Sequence, residues 1–157
     1  MNHQTFSELD STSLLSLSLN ALINELHDKL GELGFTDIRP THGFLFKCLI
    51  PNGATGIELA ERLGITKQGV SKMVQYLEES DYVMRQAHPT DKRGKIIVLT
   101  KQGWAVVRAK DEILTEIEQR WIENIGVERM QMLKEDLRKI VYEANTDKLS
   151  SKVRPVW

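Results

Sequence analysis

The chain has 157 residues, of which 41% are hydrophobic and 27% charged, and its formal net charge is −1. This composition is ordinary for one globular domain, and such a chain can bind nucleic acid only if its positive charge is concentrated on one face. The single cysteine, Cys48, excludes an intrachain disulfide and a cysteine zinc cluster. No segment is apolar enough to span a bilayer and the first ten residues do not resemble a secretory signal, so we expect a soluble, cytoplasmic protein without a membrane partner.

Two helices are predicted in the first third of the chain. Leucines between residues 15 and 33 recur at steps of three and four, which indicates an amphipathic helix. Thr41, which follows Pro40, is a candidate N-cap for a shorter second helix. The tripeptide Pro51-Asn52-Gly53 is expected to end this helix.

The next segment predicts a helix-turn-helix. Thr55 is a candidate cap for a third helix, and Gly64 suits the left-handed residue that ends it. Thr66 is a candidate cap for a fourth helix that runs to about Ser80. Two helices of this size joined through a turn that contains glycine are the helix-turn-helix pattern.

A hairpin and two further helices complete the predicted elements. Residues 82–85 and 95–99 have the character of strands, and the polar run between them is typical of a turn. Thr100 then caps a long helix that Gly126 interrupts. In the last helix, apolar residues recur between Met130 and Ile140 as a narrow seam suited to pairing with another helix. This seam and the leucine stripe at 15–33 are more apolar surface than one short chain readily covers, which predicts a homodimer.

The start of the fourth helix offers side chains that suit the major groove of DNA. A groove of this width admits a helix, whose N-terminal side chains reach the base edges first. No acidic residue lies between Thr66 and Tyr76. Thr66 and the helix N-terminal amides are candidates for holding a phosphate. The candidates for contacts with bases and phosphates are Lys67, Gln68, Ser71 and Lys72.

The hairpin carries a local excess of positive charge. Between residues 84 and 102 there are five basic side chains and one acidic side chain, a local charge of +4 in a chain whose total is −1. Arg93 is the candidate for insertion into a minor groove, and Lys92 and Lys95 are candidates for phosphate contacts. Asp91 is a candidate for orienting Arg93. The alternative reading of this segment is a solvated, charged turn.

These motifs, taken together, resemble the DNA-reading segment of the MarR family. The resemblance implies a mainly α fold with a small β-hairpin wing: a winged helix-turn-helix with N- and C-terminal dimerisation helices. It also implies a homodimer on a pseudo-palindromic operator in double-stranded DNA, usually as a repressor that a small amphipathic effector releases. The residues that carry the resemblance are Glu58-Leu59-Ala60, then Leu63-Gly64-Ile65-Thr66-Lys67-Gln68-Gly69-Val70-Ser71-Lys72, Leu77-Glu78-Glu79, Val83-Met84-Arg85, Pro89-Thr90-Asp91-Lys92-Arg93, Val98-Leu99-Thr100 and Gly103.

The whole chain, 1–157, is therefore predicted to form a single domain of the MarR type. Residues of about 37–103 form the reader, 9–34 and 104–146 the dimerisation helices, and 147–157 a tail. The residues of any ligand pocket are not predicted. A winged helix that only binds other proteins, without DNA, remains the alternative.

Catalysis, cofactors and metals are not expected from this sequence. It has no Gly-rich phosphate loop, no nucleophile motif and no metal-ligand spacing among its histidines. Cys48 is interpreted as a buried, inert thiol. His42 is interpreted as a residue of a helical first turn, with a ligand cavity as the alternative, and Trp104 and Trp121 as packing residues.

Overall fold

The computed structural model describes residues 8–90 and 94–146, which form six helices and one two-stranded antiparallel sheet. The predicted winged helix-turn-helix is confirmed. None of the described helices has the length and apolar character that a bilayer span requires. In chain order, the elements are α1 (Ser11–Glu32), α2 (Pro40–Leu49), α3 (Gly56–Leu63), α4 (Lys67–Glu79), β1 (Val83–Ala87), β2 (Lys95–Leu99), α5 (Lys101–Ile125) and α6 (Val127–Thr146).

Three of the helices begin at the threonines that the sequence indicated. The hydroxyls of Thr55, Thr66 and Thr100 each accept a hydrogen bond from the backbone amide three residues later, at 3.0 to 3.2 Å. Such caps satisfy an amide that has no partner within the helix and contribute about 1 kcal/mol each. Gly64 ends α3 in the left-handed conformation, with φ 65°, as expected. These local interactions fix the boundaries of α3, α4 and α5.

The second helix begins differently from the prediction, which placed its N-cap at Thr41. Pro40 occupies the first turn and Arg39 is the capping residue. Proline suits the first helical position because the amide it lacks would have no partner there. The backbone amide of Arg39 donates to Nδ1 of His42 at 3.1 Å, so the imidazole takes the position that a glutamate often takes in a capping box. His42 is 4% exposed and is therefore a buried residue of this turn.

The hairpin is attached to the loop that precedes α3. β1 and β2 pair from Val83 opposite Leu99 to Ala87 opposite Lys95, so β1 extends two residues further than predicted. Ala54 forms a bridge with Ile97 through reciprocal backbone hydrogen bonds of 3.0 and 2.8 Å. These bonds hold the base of the wing against the helix-turn-helix.

The main core joins the reader to α5. Leu45, Leu59, Leu77 and Tyr82 are at most 1% exposed and belong to one cluster of buried side chains to which α5 also contributes. At the start of α5, a Cβ on Gly103 would lie 2.1 Å from the carbonyl oxygen of Tyr82. Only glycine allows this approach, so α5 is seated directly on the end of the helix-turn-helix.

The first and last helices pack on α5 through ion pairs. Arg120 of α5 makes a bidentate pair with Glu25 of α1 at 2.6 and 2.8 Å, and Lys29 pairs with Glu116 at 3.0 Å. In α6, Lys134 pairs with Glu118 of α5. The long helices therefore form a layer beside the reader.

The apolar seam of α6 is divided between the interior and the surface. Met130 is 4% exposed and is buried within its own chain, whereas Leu133 and Ile140 are 43% and 55% exposed. Trp104 is half-buried against the core, as expected of a packing residue, but Trp121 lies on the surface with 36% exposed. The outer part of α6 is thus available for contact with another molecule.

Candidate nucleic-acid interface

The first turns of α4 present a row of exposed polar side chains. Lys67, Gln68, Ser71 and Lys72 are all exposed. Within residues 8–90 and 94–146, none of these four side chains forms a hydrogen bond or an ion pair. They are therefore free to bind an external ligand.

The orientation of α4 is fixed by its opposite face. Val70, Val74 and Leu77 are at most 2% exposed and belong to the core, as predicted. Their spacing of three and four residues places them on one side of the helix. Rotation of α4 would expose these side chains, so the polar row is held towards the outside.

The cap of α4 leaves hydrogen-bonding capacity at the helix N-terminus. Oγ1 of Thr66 accepts from the amide of Gly69 at 3.0 Å. This bond uses an oxygen lone pair, so the hydroxyl hydrogen of Thr66 can still donate. A Cβ on Gly69 would lie 3.3 Å from the same Oγ1, which is a tight contact. The amides of the first turn also lack helical partners, which suits a bound anion.

A groove of about 520 Å³ lies between α4 and the wing. Lys67 and Ser71 line it from α4, Arg85 from β1 and Lys95 from β2. No carboxylate is among the described residues that line this groove. The structure thus brings Lys67, Ser71 and Lys95 to one positively charged groove, while Gln68 and Lys72 lie on the exposed turns beside it.

One of the basic residues counted in the wing is already paired. The guanidinium of Arg85 forms an ion pair with Glu78 of α4, and the amide of Arg85 donates to the same carboxylate at 3.3 Å. The pair connects the hairpin to the helix and neutralises one positive charge. Lys95 is exposed and forms no hydrogen bond or ion pair with a described residue. The other residues predicted to contact DNA from the wing or to orient such a contact, Asp91, Lys92 and Arg93, lie outside the described residues.

Ile57 is a candidate that sequence reasoning did not single out. It lines the groove from α3 with 55% of its surface exposed. An apolar side chain at this place can contact the methyl group of thymine. The sequence contained a signal for the exposure of Ile57. Leu59 and Leu63 are four residues apart on the buried face of α3, and Ile57 does not lie on that face.

A second cavity, of about 270 Å³, lies between α1, α2 and α5. Its walls are mostly apolar, with Leu22, Leu26 and Phe44 among them. The polar side chains in its lining are His27, Arg39, Lys47 and Lys110, and no carboxylate is among the described residues that line it. Burial lowers the pKa of His27. The cavity therefore combines apolar walls with basic side chains, of which Lys110 is already paired with Asp111 at 3.1 Å.

Two candidates from the sequence lie outside this cavity. His42 does not line it, and its place is taken by His27. Cys48 is half-buried rather than buried, and burial raises the pKa of its thiol, so the unreactive protonated form is favoured. Arg62 donates to the backbone carbonyl of Cys48 at 2.7 Å.

Comparison with known proteins agrees with this geometry. A model described as MarR family matches residues 49–94. An uncharacterized HTH-type transcriptional regulator of Bacillus cereus is 34% identical over 93 residues, which are 59% of this chain and 56% of the relative. The chain thus spans little more than half the length of the curated relatives that it matches.

Solved structures extend the similarity over most of the chain. The complex of Staphylococcus aureus MepR with DNA has a TM-score of 0.68 and 25% identity, covering 87% of this chain and 99% of that chain. The apo form of MarR from Escherichia coli has a TM-score of 0.63 and 21% identity, covering 84% and 97%, and shares the fold. A MarR-family model thus matches the helix-turn-helix and part of the wing, and the overall architecture is similar to that of solved winged helix-turn-helix regulators.

Proposed function

We propose that the protein is a sequence-specific transcriptional regulator that binds double-stranded DNA as a homodimer and acts as a repressor released by a small ligand. The observation that carries the proposal is the exposed row of polar side chains on α4 that have no partner among the described residues, beside a groove whose described lining has no carboxylate. The similar MepR has been solved bound to DNA, which supports the same kind of ligand here.

The side chains of α4 divide into those that read bases and those that hold the backbone. Gln68 and Ser71 lie three residues apart on one face of the helix, and glutamine pairs bidentately with adenine. Lys67 and Lys72 bind guanine or phosphate. The hydroxyl of Thr66 and the first amides of α4 hold a phosphate. Sequence preference therefore depends mainly on Gln68.

The wing binds the neighbouring minor groove. Arg93 inserts there, and Lys92 and Lys95 hold phosphates on either side. Two subunits place their readers on half-sites about 10 bp apart, one turn of the duplex.

The test begins with selection of bound sites from random duplex DNA, followed by affinity measurement across a salt series. We expect Gln68→Ala to relax the preference at one base pair by about 1–3 kcal/mol. Lys72→Ala should weaken all duplexes alike and lower the salt slope by about 1. The matched control is Arg129→Ala, which removes an exposed cation of α6 and should leave both properties unchanged. Absence of salt-dependent affinity for any duplex would reject DNA binding and favour a winged helix that binds only proteins.

The dimer is supported by apolar surface on two helices. Leu15 of α1 is 49% exposed, and Met132 and Tyr142 of α6 are 63% and 74% exposed. Large apolar side chains exposed along these helices favour a protein interface. Sedimentation at micromolar concentration should give twice the mass of the chain, and Ile140→Asp should shift it towards the monomer. A monomeric mass for the unsubstituted protein would contradict the dimer.

The cavity between α1, α2 and α5 is the proposed effector site. Its apolar walls and the cationic side chains of Arg39 and Lys47 favour a small apolar molecule with an anionic group, whereas Lys110 is already paired with Asp111 at 3.1 Å. Benzoate should raise the melting temperature, as any ligand of the folded state does, whereas benzylamine should not. An equal effect of both compounds would contradict the proposal that the cavity prefers an anionic ligand.

A further inference from the structure

The side chain of Arg39 contacts both the cavity and the recognition helix α4. Arg39 lines the cavity between α1, α2 and α5. Its guanidinium carbon also lies 5.6 Å from the centroid of the Tyr76 ring on α4. Tyr76 follows Lys72 by one helical turn, so it lies on the same side of α4 as a side chain proposed to bind DNA.

Tyr76 is also held by the connection between α1 and α2. Its hydroxyl donates to the backbone carbonyl of Asp37 at 3.0 Å, and its ring centroid lies 5.3 Å from that of His42. The carboxylate of Asp37 accepts from the hydroxyl of Tyr82 at 2.7 Å. The connection therefore restrains the second half of α4 and the start of the wing through polar contacts.

An anion in the cavity would compete with Tyr76 for Arg39. The attraction between a guanidinium and an aromatic ring is weaker than a charge-assisted bidentate bond to a carboxylate. The side chain of Arg39 is exposed, so it has room to move. No described carboxylate lines the cavity to hold the guanidinium there already.

We propose that Arg39 transmits occupancy of the cavity by an organic anion to the recognition helix through the ring of Tyr76. The proposal rests on the proposed function and names the residues that couple its two sites. When the anion binds Arg39, Tyr76 loses a ring contact and α4 becomes less restrained. DNA binds the restrained helix, so each ligand lowers the affinity for the other by the same factor.

The test uses benzoate and the larger 2-naphthoate as probes, with benzamide as the neutral control. We expect a carboxylate probe to lower the affinity of the unsubstituted protein for its selected duplex by about fivefold or more, and benzamide to have no such effect. Tyr76→Phe keeps the ring and should keep the response. Tyr76→Leu removes the ring that competes for Arg39, so it should bind the probe at least as tightly as before but lose the response. A merely structural role of Tyr76 would lower stability and DNA affinity yet leave the probe response unchanged.

Hydrogen exchange without DNA separates this proposal from the proposed function. The probe should speed exchange of the α4 amides near Tyr76 in the unsubstituted protein and in Tyr76→Phe, but not in Tyr76→Leu. If Tyr76→Leu fails to fold, Arg39→Lys replaces it, because lysine keeps the charge and loses planar stacking. The Arg39→Lys variant should still bind the probe, but the probe should change its α4 exchange and DNA affinity less. The proposal is overturned by an equal response in the ring-deleted variant, by a bound probe that changes neither exchange nor DNA affinity, or by no saturable binding of either carboxylate.

Discussion

The imidazole of His42 links the stability of the protein to pH. His42 is 4% exposed, and its Nδ1 accepts the hydrogen bond from the amide of Arg39, so this nitrogen must stay unprotonated. Burial and then the charge of Arg39 lower the pKa of His42 from 6.5 to about 4, against an opposing effect of Asp37. In His42→Gln, the side-chain oxygen can accept the same bond at the same position of the capping box but does not titrate.

The size of the effect follows from the two pKa values. Between pH 6.5 and about 4 the unfolded chain binds a proton at His42 and the folded chain does not. The contribution of the neutral imidazole is therefore complete above pH 6.5 and is lost as the pH falls towards 4. At about 1.4 kcal/mol per pKa unit, the loss is about 3 kcal/mol of the free energy of unfolding. Denaturant unfolding followed by circular dichroism at several pH values measures it.

The comparison between the two proteins isolates this histidine. Carboxylates with lowered pKa values, such as Glu58, lose their contribution at lower pH in both proteins and cancel. His27→Gln is the control, because burial lowers the pKa of His27 but a hydrogen bond from its ring to the backbone carbonyl of Ile38 opposes the shift. We therefore expect His27→Gln to alter the pH dependence of the free energy of unfolding less than His42→Gln does. Parallel pH curves for the unsubstituted protein and His42→Gln would refute the reasoning.

Five further substitutions test the packing, the backbone conformation and the caps. Gly103→Ala should lower the free energy of unfolding by more than about 2 kcal/mol, because its methyl group would lie 2.1 Å from a backbone carbonyl oxygen. The matched control is Gly43→Ala, whose Cβ meets nothing within 4 Å and which should instead stabilise the protein by about 1 kcal/mol. Asp81→Gly should stabilise by about 1 kcal/mol in thermal unfolding, because Asp81 has φ 59°. Thr66→Ala and Thr100→Ala should each lose about 1 kcal/mol or more, but only Thr66→Ala should weaken DNA binding in anisotropy titrations.

Sequence predicted best those features whose cause is local. The caps at Thr55, Thr66 and Thr100 need only a hydroxyl and an amide three residues away, and Gly64 needs only a left-handed residue at a helix end. The inward face of α4 follows from spacing alone. The misplaced start of α2 shows the limit of this reasoning, because Pro40 and a buried imidazole together replaced the expected threonine cap.

Features that depend on distant partners were not predictable from the sequence. The pairing of Arg85 with Glu78 lowers the positive charge that the sequence assigns to the wing. The contact of Arg39 with Tyr76 joins residues 37 positions apart, and no spacing rule indicates it. Both contacts exist because the core places the hairpin and the start of α2 against α4.

The distribution of charge matters more for this protein than its total. Residues 8–32, which contain α1, have five acidic side chains and one basic side chain, whereas residues 37–100 have nine basic and seven acidic ones. A duplex would therefore be repelled from the α1 side and attracted to the reader, within a screening length of about 8 Å at physiological salt. Glu25 and Arg120 partly offset each other, so the repulsion comes mainly from the other acids of α1. A formal net charge of −1 is thus compatible with the proposed DNA binding, because the negative charge around α1 would orient a duplex towards the positive groove.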